Sequence, residues 1–253
     1  VFLFPYCTYP LQQGRKVRAR SPENIVNEIK YWNNNFGIKK FVFRDPVFSI
    51  NRKHTIELCN LIIKEKIKIS YLIETHLNNL DDEIIELLKN SGLKMVYVGI
   101  ESSDMNVLSN ISRFTVKKDK QFEVIEKLGK KNISVKSMFM IGNPDDNFKT
   151  VKQTIEYAKL LPHHLVQFSV FTPYPGTPIF KNYENIISEK KMENFNQYNL
   201  VFKHKNLDQN DIDFLKNKAY VKYYLSPKHI FRLIKIILIS KFQNVFSWGG
   251  VTI

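Results

Sequence analysis

The sequence predicts an α/β fold, with a parallel sheet closed or half closed into a barrel. Three observations predict it. Five short apolar runs rich in β-branched and aromatic residues recur along the chain, helix-patterned segments separate them, and no GxGxxG follows any of the runs. The first two features are those of βα units with right-handed crossovers. The third removes a dinucleotide-binding doubly wound sheet.

Taken in order, Ser21 before Pro22 is a helix start, a side-chain cap followed by a residue whose missing N–H costs nothing there. Ile25, Ile29 and Trp32 then share a face. Lys40–Arg44 (KFVFR) reads as the first strand after that helix. Asn51 caps the next helix, which carries Ile56, Cys59 and Ile63 at helical spacing. Ile67–Ile73 (IKISYLI) is a strand. Asp81 opens a helix with Ile84, Leu87 and Leu88 inward, ending near Gly92. Met95–Ile100 (MVYVGI) is the third strand. Phe122, Ile125 and Leu128 mark a helix stopped by Gly129. Val135–Ile141 (VKSMFMI) is the fourth strand, and Asn147 opens a helix with Val151, Ile155 and Ala158 inward. Leu165–Phe171 (LVQFSVF) is the fifth. A further strand before Cys7 is barely accommodated by Val1–Phe4, so the expected barrel has an incomplete first strand.

After Thr177 the alternation stops. Ile179–Lys191 has weak helical character, and Leu207–Lys216 holds an acidic, capped helix start. Ser226–Phe246 is a basic aliphatic helix that docks on its own domain or lies on a membrane surface. Residues 1–180 are expected to form the barrel core and 181–253 a C-terminal helical extension.

Composition bounds the function. The 253 residues are 43% hydrophobic and 13% aromatic, globular values that exclude long-range disorder. The net charge of +14 favours anionic partners, although lysines scattered through the whole chain give the same total. Two cysteines, Cys7 and Cys59, make no disulfide framework and point to a reducing, cytoplasmic setting. No secretory signal is evident, and no run of about 20 apolar residues is present. Val1 in place of Met is expected of a fragment or of a processed or misread start.

In parallel α/β architectures ligands bind at the carboxyl ends of strands. Here the five strands are followed by Arg44-Asp45-Pro46, Glu74-Thr75-His76, Gly99-Ile100-Glu101-Ser102, Met140-Ile141-Gly142-Asn143-Pro144 and Thr172-Pro173-Tyr174-Pro175-Gly176-Thr177. Each has a bland reading: a turn former, a rim ion pair, a tight turn. Carboxylates on three consecutive strand ends and a glycine turn on the fourth make a shared pocket the better one. Carboxylates suit an ammonium group or ribose hydroxyls, and a glycine turn lets backbone approach a flat ring.

The series Cys7-Thr8-Tyr9-Pro10, SPENIV, FVFRDPVFSIN, ETHLN, GIES, MIGNPDD and TPYPGTP resembles the radical S-adenosylmethionine enzymes. The nearest group usually carries an N-terminal cobalamin-binding domain. It includes the anaerobic magnesium-protoporphyrin IX monomethyl ester cyclase and many methyltransferases. The likeness runs from Cys7 to about Thr177 and continues loosely through the tail.

The resemblance implies a partial (β/α)6 TIM-like barrel. It implies a [4Fe–4S] cluster held by the three thiolates of CxxxCxxC, and S-adenosylmethionine on the open iron. It also implies a 5′-deoxyadenosyl radical used for methyl transfer or ring-forming chemistry on a small molecule, with flavodoxin or ferredoxin as electron donor. By position Cys7 matches the last metal-ligating cysteine. Glu101 matches the strand-end carboxylate near the adenosyl ligand, and Asp45 the acid near its amino group. Gly142, with Ile141 and Pro144, matches the turn beside adenine, and Glu74 the glutamate of an ETR-like stretch.

The departures are specific. Phe4 stands at the middle cysteine position and cannot ligate iron, and one thiolate cannot hold the cluster. Cys59, inward on a helix, does not replace it. His76 stands where arginine is frequent, and Ser103 where glycine often follows GxES. Cobalamin is expected only through sequence upstream of this chain. The chain as given is therefore expected to be inactive. A cluster-free ligand- or partner-binding descendant of the barrel is the alternative. A nucleic-acid module using Arg15, Lys16, Arg18 and Arg20 is a more distant one, because no stacking aromatics are interleaved with that run.

Overall fold

The computed structural model describes residues 4–241 and 251–252. A short helix α1 (Tyr9–Gln13) precedes α2 (Pro22–Phe36). Strand and helix then alternate as β1 (Lys40–Val42), α3 (Arg52–Lys64), β2 (Ser70–Glu74), α4 (Asp82–Ser91) and β3 (Leu93–Glu101). α5 (Met105–Asn110) and α6 (Lys118–Lys130) lead to β4 (Ser134–Ile141), α7 (Phe148–Leu160) and β5 (Leu165–Val170). α8 (Phe180–Tyr183), α9 (Gln209–Tyr224) and α10 (Pro227–Lys241) follow, and β6 (Val251–Thr252) lies beside β1.

β1 to β5 pair in parallel and in sequence order, curling into the half-barrel that the alternation predicts. Helix starts are set locally. The side chains of Ser21, Asn51, Asp81, Asn147 and Asp208 each accept a backbone N–H of the first turn. Gly37 and Gly92 end α2 and α4 in left-handed backbone. Val96, Val98 and Ile100 of β3 join Val135, Phe139 and Ile141 of β4 in one core beneath the helices. Tyr97 and Gly99 take the other face of the pleat, toward the inside of the half-barrel.

Packing shifts some expected details. β1 stops at Val42, before Arg44 and Pro46. β2 starts at Ser70 because the Ile67 N–H turns back to the Ile62 carbonyl at 3.2 Å, closing α3 through Lys66 at φ 54°. The buried face of α3 is Thr55, Leu58, Cys59 and Ile62, while Ile63 is 39% exposed. In α6, Gly129 lies inside the helix, Asn132 takes the left-handed turn beyond it, and Phe122 points outward. Phe4–Cys7 form a turn, with the Cys7 N–H donating to the Phe4 carbonyl at 3.0 Å. Val1–Leu3 and Phe242–Phe246 lie outside the described residues.

The free edge of β5 is closed by tyrosines. Tyr220 and Tyr224, one helical turn apart on α9, place their hydroxyls against the backbone of Phe168 and Val166. Each hydroxyl accepts the N–H, at 3.1 and 3.2 Å, and donates to the carbonyl, at 3.3 and 3.1 Å. Two side chains thus do what a further strand would do for these exposed backbone groups.

Candidate active site

The strand ends meet at one mouth. At the end of β3 the pairing register slips, with Gly99 opposite Met138 but Glu101 opposite Phe139. This bulge puts Glu101 in left-handed backbone at φ 67°, costly for a residue with a Cβ and a common way to re-aim a side chain. Ser102 and Ser103 lock the turn from behind. Their hydroxyls lie 3.2 Å from Thr154 Oγ1 on α7, which also accepts the Ser103 N–H at 3.1 Å.

The re-aimed carboxylate faces Arg113, from the loop after α5. Arg113 Nη2 donates to the Gly99 carbonyl at 2.9 Å and lies 3.5 Å from Glu101 Oε1. The arginine side chain is 4% exposed and the glutamate 16%. Gly99 permits this approach, because a Cβ there would sit 2.5 Å from Glu101 Oε1 and 2.7 Å from Arg113 Nη2. Burial pushes the Glu101 carboxyl up, Arg113 pulls it back, and Glu74 adds to the rise. Among the described residues, Arg113 Nε and the Tyr6 hydroxyl are buried without a hydrogen-bond partner. Such orphans call for an explanation, and a polar ligand supplies one.

Cys7 is half-buried beside this pair. Burial raises its thiol pKa, while the Tyr9 backbone N–H and Arg113 act against that, and Glu101 and Glu74 lie close enough to add to it. Phe4 does not vacate the mouth. Its ring stacks on Tyr6 at 5.7 Å, leans on His76 at 5.6 Å, and carries the Arg113 guanidinium 4.2 Å above its centroid. Burial first, then Arg113, hold His76 neutral down to about 4.

Glu74 ends β2 in one row with Tyr97 and Lys136, paired across β3 and β4, and the Lys136 ammonium lies 4.7 Å over the Tyr97 ring. Burial raises the Glu74 carboxyl, against the pull of Arg44 and Lys136. Asp45 is exposed on the rim and reaches the group through Tyr9, which feels Glu74, Arg44 and Asp45 together. Ile141 lies in the core. Gly142 has φ 70°, and a Cβ on it would meet Ile212 Cδ1 at 2.9 Å, so packing as well as conformation requires glycine. Pro144 is half-buried in the turn that follows.

Cys7, Glu74 and Glu101 are therefore brought together, Asp45 stands at the margin, and Ile141, Gly142 and Pro144 form an adjacent turn. Sequence reasoning missed Arg113, Tyr6 and Thr154. Arg113 had one signal, a lone cation between apolar residues in NISRFTV.

The donor set does not fit a three-thiolate cluster. The chain has two cysteines, and Cys59 is buried on α3, 4.0 Å from the Tyr71 hydroxyl. Among the described residues no group of three or more His, Cys, Asp or Glu could hold a metal ion. No described helix is long and apolar enough to cross a membrane.

The family model of the Radical SAM superfamily matches residues 5–158. An uncharacterised methyltransferase of Pyrococcus horikoshii is 29% identical over 88% of this chain and 49% of its own length. The anaerobic magnesium-protoporphyrin IX monomethyl ester cyclase of Rubrivivax gelatinosus is 22% identical over 94% of this chain and 47% of its own. Among solved structures, the radical S-adenosylmethionine methyltransferase TsrM of Kitasatospora setae, with cobalamin and a [4Fe–4S] cluster bound, superposes with a TM-score of 0.64. It has 18% identity and covers 72% of this chain and 34% of that one. The chain spans about half the length of these curated relatives.

Proposed function

This chain belongs to the Radical SAM superfamily, and from that premise we propose that it is the barrel core of a cobalamin-type radical S-adenosylmethionine methyltransferase or cyclase. In this reading it keeps the nucleoside pocket but does not by itself hold the iron–sulfur cluster. The observation that carries the reading is the Glu101–Arg113 pair: a strained, re-aimed carboxylate beside a buried guanidinium with an orphaned Nε.

The chain's residues then have these tasks. Arg113 presents its free N–H edge to the ligand's carboxylate. Glu101, Glu74 and Asp45 accept from its ammonium group and ribose hydroxyls. The turn Ile141–Pro144 offers backbone to the adenine. Gly99 keeps the Glu101–Arg113 approach open, and Phe4, Tyr6 and His76 exclude water from one side. Residues 1–180 form the core in this reading, and 181–253 the extension that closes the β5 edge. A small-molecule substrate, a flavodoxin- or ferredoxin-like donor and cobalamin belong to the whole enzyme, as does a cytoplasmic setting.

Cluster chemistry has no place on this donor set. Cys7 is one thiolate, and Phe4 fills the position where a second is needed. The test has two arms. Titration calorimetry of the iron-free chain with S-adenosylmethionine is expected to show binding that Arg113→Met abolishes; no binding overturns the pocket. Anaerobic reconstitution is expected to leave far less than the four irons of one cluster; about four per chain with a charge-transfer band overturns the cluster-free state.

The Phe4–Arg113 stack favours a second reading, a barrel that binds a nucleoside without catalysis. With Arg113 engaged by Phe4 rather than by a ligand carboxylate, adenosine and S-adenosylmethionine should bind alike. Adenosine binding at least about tenfold weaker would count against it and favour the carboxylate contact of the first reading.

A further inference from the structure

The exposed face of α10 carries chemistry that the barrel mouth does not use. The helix is fixed to the barrel by one side. His229 is buried with its ring 3.8 Å from that of Tyr223, and the Arg232 guanidinium donates to the carbonyls of Leu161 and His163 at 3.2 and 3.1 Å. These contacts fix which side looks outward. Ile230, Phe231 and Ile234 lie there, three and four residues apart on one helical face, and Phe231 is 78% exposed. Leu225, just before the helix, is 69% exposed. The same spacing in the sequence falls next on Ile237 and Leu238.

The sequence of this segment carries one sign of charge. After Asp213 the sequence contains no Asp or Glu, while Lys216, Lys218, Lys222, Lys228, Arg232, Lys235 and Lys241 all follow it. Lys222 is paired with Glu156 and Lys216 with Asp213. Lys228 is exposed beside Phe231 and has no ion pair among the described residues. A second copy of this chain would bring like charges together on a molecule already at +14. An anionic bilayer surface matches both features, because lysines meet headgroup phosphates while Phe and Ile side chains enter the acyl boundary.

We propose that α10 seats the protein on anionic phospholipid membranes as an interfacial helix, held in the plane of the surface by its attachment to the barrel. The contact is peripheral and needs no spanning segment.

Vesicle flotation of the purified chain tests this, using phosphatidylcholine alone and phosphatidylcholine mixed with phosphatidylglycerol. Binding is expected to be at least about tenfold stronger on the anionic vesicles and to fall away at high salt, where surface charges are screened. The double substitution Phe231→Glu with Ile234→Glu replaces exposed side chains and should leave the circular dichroism spectrum unchanged while reducing flotation about tenfold. Arg15→Gln with Lys16→Gln, in the other basic segment, should leave flotation intact. Three outcomes overturn the proposal: no flotation, equal binding to both vesicle types, or binding lost in the Arg15/Lys16 variant but kept in the Phe231/Ile234 variant. Sedimentation in which the wild type self-associates without binding vesicles, and the Phe231/Ile234 variant stays monomeric, also overturns it and assigns the face to a second copy. None of these results bears on S-adenosylmethionine binding, so this inference and the proposed function fail separately.

Discussion

Two turns at the barrel mouth follow neighbouring strands, and both pass through left-handed backbone, at Glu101 with φ 67° and at Gly142 with φ 70°. They differ in how much of their polar surface the protein satisfies. The turn after β4 closes largely on itself, although Asn143 Oδ1 is buried without a hydrogen-bond partner among the described residues. Asp146 Oδ2 accepts the Asn143 N–H and side-chain amide at 2.9 and 3.0 Å, Thr150 donates to Asp146 Oδ1 at 2.7 Å, and the His204 ring lies 2.8 Å from the Asn143 carbonyl. Glycine supplies its conformation without strain. The turn after β3 uses a glutamate where glycine would be cheaper, and leaves Arg113 Nε and the Tyr6 hydroxyl unpartnered. Strain and unmet hydrogen bonds coincide there, as expected where a structure is shaped for a ligand rather than for its own stability.

The largest expected effect comes from removing the countercharge. Arg113→Met leaves the Glu101 carboxylate behind Gly99 without its partner. Urea unfolding should show a loss of about 3 kcal/mol, and S-adenosylmethionine binding should fall at least about tenfold. Next is Gly142→Ala, where a Cβ meets both unfavourable backbone and Ile212. It should cost about 2 kcal/mol and, because this turn is proposed to offer backbone to the adenine, weaken binding by about threefold, well short of the loss in Arg113→Met. If both substitutions weaken binding alike, the contrast between the turns is wrong.

The third prediction concerns pH. His76 is held neutral to about 4 in the folded state, against an unfolded value of 6.5. A depressed histidine pKa means that the unfolded chain binds the proton first. Stability is therefore lost as pH falls from 6.5 toward 4. Because His76 is partly exposed, the loss should be about 1 to 2 kcal/mol. Comparison of unfolding midpoints at neutral pH and near pH 5 should show a smaller drop in His76→Phe than in wild type. An unchanged drop would remove His76 as the cause.

The smallest effect isolates the strain. Glu101→Gly and Glu101→Gln both remove the carboxylate, but only glycine relaxes the backbone. The glycine variant should be the more stable by about 1 kcal/mol in urea, with binding lost in both. Equal stability would mean that the bulge carries no cost.

Much of the fold was legible because it rests on local chemistry. The helix caps at Ser21, Asn51, Asp81 and Asn147 are contacts within one turn, and the five strand segments are contiguous apolar runs. The faces of α3 and α6 were less legible. Leu61, Ile62 and Ile63 are all apolar, and only packing selected Ile62. Within the site, Cys7, Glu74 and Glu101 could be picked out as strand-end or motif residues. Arg113 could not, because it joins the mouth from a loop with no periodicity of its own.

The sequence by itself determined the alternation of strands and helices, the α/β partial-barrel class, the membership of the superfamily and the shortage of thiolates. All of these are carried by residue identity at local spacing. Only the tertiary structure decided that Glu101 turns inward through a bulge, that Gly99 clears space for Arg113, that Phe4 is stacked beneath that arginine, and that Tyr220 and Tyr224 close the β5 edge. Each of these joins groups far apart in the chain, and burial and packing, not local preference, select among the arrangements that the same sequence pattern allows.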